Sequence, residues 1–143
     1  MKLLSKLLPI VCLLVIAGCG GGDVETIETA AFKGTVTLDG SPLEKGIIQF
    51  RPGKDASGQP LRGQMTEATI NAGQYELTAD KGAVVGENIV LISATKVVGK
   101  EMADGEEIEK VEQYLPAKYN SETTLSVNVT PGDTEHNFEL STK

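Results

Sequence analysis

Tryptophan is absent from this chain, histidine occurs once and cysteine twice. One histidine, His136, without a cysteine cluster leaves no Cys/His zinc constellation. Nucleophilic catalysis needs a hydroxyl or thiol beside a base. His136, flanked by Glu135 and Asn137 in the pattern of the last strand, reads instead as a solvated strand or turn residue. No glycine-rich stretch carries the Lys-Ser/Thr pair that cradles phosphate. Aromatic residues make up only 4% of the chain, so its core must be built from Val, Ile and Leu with a few Phe and Tyr. Beyond the first eighteen residues no apolar run approaches the roughly 20 that a transmembrane helix needs. Basic residues are also scarce. Without residues 1–18, which hold Lys2 and Lys6, 20 acidic residues face 11 basic ones, a net charge of −9. Such a surface argues against nucleic acid and against electrostatic docking on anionic lipid.

What is present begins at the N-terminus. Lys2 and Lys6 precede the apolar run from Leu7 to Ala17, and small residues follow, the three parts of an export signal over residues 1–18. Ile16-Ala17-Gly18-Cys19 resembles the lipobox of bacterial lipoproteins. The resemblance implies that Cys19 is acylated and becomes the first residue of the mature chain. Each buried methylene of an acyl chain contributes roughly 0.8 kcal/mol, and two or more chains give stable anchoring. Cys12 leaves with the signal, so the mature chain has neither a free thiol nor a disulfide and is stabilised by packing alone. Residues 19–30 form the lipidated Cys and tether. Gly20-Gly21-Gly22 and the acidic residues after it make a flexible, solvated segment with a relaxed reach of about 17 Å. Gly20 stands where an Asp retention signal would sit in enteric-type bacteria. That residue implies export to the outer membrane, with the domain facing the periplasm or the surface.

From Phe32 the hydrophobic period becomes two. Phe32, Gly34, Val36 and Leu38 share a face, with Lys33, Thr35 and Thr37 opposite. Asp39-Gly40 signals a turn. Gly46 to Phe50 is the next strand, closed by Arg51-Pro52-Gly53, and 54–60 is a polar loop. A weaker strand at Gln64 to Ile70 and the turn Asn71-Ala72-Gly73 lead to Gln74–Thr78, with Tyr75 and Leu77 inward. Asn88 to Val97 is the most apolar strand and reads as central, covered on both sides. Residues 99–115 form a long acidic connection. Ile108, Val111 and Leu115 fall at helical spacing, so a short surface helix and an extended continuation of the preceding strand both fit. Leu125, Val127 and Val129 alternate, Pro131-Gly132-Asp133 turns, and Phe138 and Leu140 mark a last strand. Seven strands with turn signals at this spacing predict a β-sandwich over residues 31–143.

Gly34-Thr35-Val36-Thr37-Leu38-Asp39-Gly40-Ser41-Pro42-Leu43, followed by Gly46 to Phe50, resembles the opening of carboxypeptidase-regulatory-like, transthyretin-like domains. Gly73-Gln74-Tyr75-Glu76-Leu77 is similar to their hairpin. Leu115-Pro116-Ala117-Lys118-Tyr119-Asn120 resembles a run in small lipoproteins of planctomycete-type bacteria. The resemblance spans Phe32 to Leu140 and implies a seven-stranded Greek-key β-sandwich. It implies no activity and no cofactor.

The long connection supplies the candidate interaction surface: Glu101, Asp104, Glu106 and Glu107, with Tyr114 and Tyr119 as the aromatic residues near it. Asp104-Gly105-Glu106-Glu107 could offer oxygens to calcium but lacks calcium-loop spacing, and it reads foremost as a solvated charged loop. Tyr119, after Pro116 and before a strand, reads as a packing residue at the sandwich end sooner than a glycan platform. The expectation is a lipid-anchored, non-enzymatic binding or assembly module of the cell envelope, with an envelope protein or polysaccharide as partner. A glycan- or calcium-binding structural component is the alternative, and a carboxylate-based hydrolase ranks last.

Overall fold

The computed structural model describes residues 26–143. The expected signal at 1–18 and Cys19 lie outside the described residues, and within them no helix is long and apolar enough to cross a membrane. The chain is all-β. In order it forms β1 (Thr29–Ala30), β2 (Phe32–Leu38), β3 (Ser41–Pro42), β4 (Lys45–Pro52), β5 (Thr66–Asn71) and β6 (Gln74–Leu77). Then come β7 (Ala83–Val84), β8 (Gly86–Ser93), β9 (Thr95–Ala103), β10 (Glu106–Gln113), β11 (Ser126–Val129) and β12 (Phe138–Leu140).

The alternating residues of β2, β4, β5, β6 and β8 each leave one apolar row that must be buried, and a single curled sheet does this. Its strand order is β11-β8-β4-β5-β6-β2-β12, with β3 attached to β2. The seven strands of the main path fall where the hydrophobic alternation puts them. Pairing along it is antiparallel except at its end, where β12 runs parallel to β2. Strands β5 and β6 pair only at Asn71–Gln74, the root of their hairpin. Beyond that root the sheet folds over, and β2, β6 and β12 pack on the face of β4. The contact is aromatic: Phe32 meets Phe50 edge-on at 5.2 Å, and Phe138 lies 6.3 Å from Phe50. Tyr75 completes the cluster, 5.9 Å from Phe50. Four of the six aromatic rings in the sequence are thus spent on one contact. Around it Val36, Ile48, Ile70, Val90 and Ile92 are fully buried.

Gly34 belongs to the inward row of β2 for a steric reason. A Cβ there would sit 1.7 Å from the carbonyl oxygen of His136 and 2.9 Å from the Tyr75 ring. The same carbonyl accepts the Tyr75 hydroxyl at 2.6 Å. Burial, with the nearby charge of Glu135, pushes that hydroxyl well above the ordinary tyrosine range.

Four expectations change. His136 is packed, not solvated: its ring lies edge-on to Phe32 at 4.6 Å and its Nε2 is 3.0 Å from Asp133 Oδ2. The last two tether residues, Thr29 and Ala30, are in a strand, paired with Val84 and Ala83. Ala30 is buried there, which fixes the chain earlier than its composition suggests. The apolar strand at 88–97 breaks at Ala94, after which the chain leaves the sheet as β9. Within β8 one face is fully buried at Val90 and Ile92, while Ile89 and Leu91 on the other are only half-buried.

A candidate interaction hairpin

The connection between Ala94 and Tyr114 is extended throughout. β9 and β10 pair antiparallel from Thr95–Gln113 to Ala103–Glu106, and among the described residues they pair with nothing else. The helical alternative is therefore not taken. The spacing of Ile108, Val111 and Leu115 mimics a helix face, yet Leu115 is buried in the core while Ile108 and Val111 are exposed. The signal that identifies the hairpin is Asp104-Gly105. Both residues have positive φ, 52° and 86°, as a tight two-residue hairpin turn requires.

The root is pinned to the sheet. Gln113 Oε1 accepts the backbone N–H of Ala94 at 2.9 Å and that of Leu115 at 3.2 Å, and the N–H of Tyr114 donates to the Ala94 carbonyl at 3.1 Å. Tyr114 is half-buried against the core, and Lys96 Nζ stands 6.0 Å from its ring centroid. Beyond the root every residue is exposed but Ala103, which is half-buried. Side chains directly opposite in an antiparallel pair share a face. One face therefore carries Val97 opposite Val111 and Met102 opposite Glu107; Ile108 opposite Glu101 lies on the other. Met102 is the most exposed of the large apolar residues, at 70%. Isolated exposed apolar residues are ordinary, but Val97, Val98, Met102, Ile108 and Val111 are gathered on one projecting element.

The carboxylates are gathered there too. Glu101, Asp104, Glu106 and Glu107 occupy the distal part of the hairpin, as expected from their sequence positions. Glu107 meets Lys100 at 2.9 Å in a solvent-exposed pair, which contributes little stability. Among the described residues no three of His, Cys, Asp and Glu converge in a way that could hold a metal ion. Tyr119 does not belong to this surface. It is only 8% exposed, its hydroxyl accepts the Ser141 N–H at 2.8 Å, and it lies 3.2 Å from the Ser141 carbonyl. The hydroxyl ties the chain before β11 to the end of β12, so the ring is packing and no platform.

The hairpin and the first described strand, β1, lie at opposite ends of β8. β1 pairs with β7, immediately before β8, and the Val85 N–H donates to the Glu28 carbonyl at 2.9 Å. The hairpin departs from the other end of β8. Eight residues separate the two points, about 26 Å of extended strand. A shallow groove of about 610 Å³ lies elsewhere, over β2, β5 and β6, lined by Lys33, Thr35, Thr69, Gln74 and Glu76. Its one ring is the buried Tyr75, so it offers no exposed surface for a sugar to stack on. Searches of protein-family models, curated proteins and solved structures find no match to this chain.

Proposed function

We propose that this chain is a lipid-anchored, non-enzymatic binding or assembly module of the cell envelope, held to a membrane through acylated Cys19 and engaging a partner through the β9–β10 hairpin. The observation that carries the reading is the separation just described. The tether joins the domain at the start of β8, and an exposed hairpin with apolar residues on both faces leaves at its end. An element with no core of its own is costly to keep ordered unless it is used, and ordered loops on a rigid scaffold are where binding concentrates. The curled sheet closed by Phe32 and Phe50 supports the narrower reading of the domain as a transthyretin-like Greek-key sandwich.

Anchoring is tested by fractionating cells that make the intact chain or Cys19→Ser. The expected result is an intact chain that stays with membranes through a high-salt wash and a variant that does not. A variant retained as firmly as the intact chain would overturn the anchor.

A further inference from the structure

The hairpin has two outer edges of unequal character. On β9, Val97 pairs with Val111 and Gly99 with Lys110, which leaves Val98 unmatched. Such a bulge twists an edge away from further pairing, and Lys96 and Lys100 on the same strand add the charges that discourage it. β10 has neither device in that form. It runs eight residues without proline, glycine or a skipped residue, and its outer edge pairs with nothing among the described residues. Its own charges are one-sided. Glu106, Glu107, Glu109 and Glu112 stand against Lys110 alone, interleaved with the exposed apolar residues Ile108 and Val111.

We propose that the outer edge of β10 accepts an extended protein segment, rich in basic residues with apolar ones between them, as a third strand of the hairpin. This deepens the binding reading above and rests on it. Backbone N–H and C=O groups of the edge supply the sequence-independent part of the contact. Specificity comes from cross-strand neighbours. Glu107, Glu109 and Val111 share one face and Glu106, Ile108 and Glu112 the other, so lysine or arginine is favoured opposite the carboxylates and apolar side chains opposite Ile108 and Val111. A second copy of this chain would bring the same strand, four glutamates against one lysine, to the edge, and the repulsion of two net-negative strands disfavours it.

The test titrates the full anchored chain, in neutral detergent, with an eight-residue peptide that sets lysine opposite the β10 glutamates and valine opposite Ile108 and Val111, and follows amide hydrogen exchange. The expected result is saturable binding with slowed exchange within residues 106–113 and weakening at high salt. Glu107→Lys with Glu109→Lys should weaken binding at least about tenfold and favour the peptide whose two lysines opposite 107 and 109 are replaced by glutamate, while Lys54→Glu leaves it unchanged. Binding without protection of β10, indifference to the double reversal, or dimerisation of the free chain through residues 106–113 would overturn the proposal. A crosslink from the hairpin to a cellular partner without peptide binding would sink this inference alone. Absence of both would sink the binding reading with it.

Discussion

Ala72 sits at a position whose backbone suits asparagine or glycine better. In the Asn71–Gln74 hairpin both central residues have positive φ, 48° for Ala72 and 75° for Gly73. The corresponding turns at Asp39-Gly40 and Asp104-Gly105 use the Asp-Gly pair that favours this geometry. A Cβ in the left-handed region costs roughly 1–2 kcal/mol, less for asparagine, whose side chain bonds locally. Ala72→Asn should therefore stabilise the domain by about 0.5–1 kcal/mol and raise Tm by a few degrees in a calorimetric scan. A lowered Tm would mean that the methyl group makes a contact the turn depends on.

Exposed Asp39 holds the segment after β12, and half-buried Asp133 holds the turn before it. Asp39 accepts the Thr142 hydroxyl and the Thr142 backbone N–H, and these bonds hold its carboxyl below the ordinary range. Asp133 is lowered chiefly by the Thr130 backbone N–H, with help from the Thr130 hydroxyl and His136. A carboxylate whose pKa is lower folded than unfolded stabilises above the unfolded value, near 3.9, and loses that contribution as pH falls through the folded one. Stability should thus decline below about pH 4. Asp39→Asn should lower Tm near neutrality yet converge with the parent as the Asp39 carboxylate protonates. Curves that stay parallel down to about pH 2 would show that Asp39 does not report through its charge.

At the scale of elements, what could be read in advance depended on burial. Phe32, Val36, Tyr75 and Leu77 alternate because one side of each strand is packed, and one-sided packing writes a period of two into the sequence. β9 and β10 are exposed on both sides, so no such constraint acts on them, and Ile108, Val111 and Leu115 fell by chance into a helical spacing. The Asp104-Gly105 turn was the legible sign there. The parallel union of β12 with β2 had no local sign at all, because it joins segments about a hundred residues apart. Tyr119 was legible as packing from Pro116 and the following strand, whereas its bonding partner, Ser141, was not. A hairpin that contributes no core should be dispensable for folding. Replacing residues 96–112 by a short Asn-Gly linker, with the Gln113 root kept, should leave Tm within a few degrees. A collapse of Tm would show that the hairpin is structural and not a presented surface.

For the molecule as a whole, β1 and the β9–β10 hairpin lie at opposite ends of β8, with a packed sheet between them. On the proposed reading, lipid contact falls to Cys19 and partner contact to the end of the domain remote from the first described residues. The arrangement suits a protein that must reach a partner without lying on the membrane. The single imidazole, at His136, is engaged by Asp133 and Phe32.

The most direct measurement is site-specific photo-crosslinking in intact cells, with a probe replacing Met102 on the hairpin and a second probe replacing Ser57 in the 54–60 loop. A discrete protein adduct is expected from Met102 that disappears when the β10 carboxylates are reversed, and no such adduct from Ser57. Adducts from Ser57 alone, or the same adducts from both positions, would contradict the proposed reading.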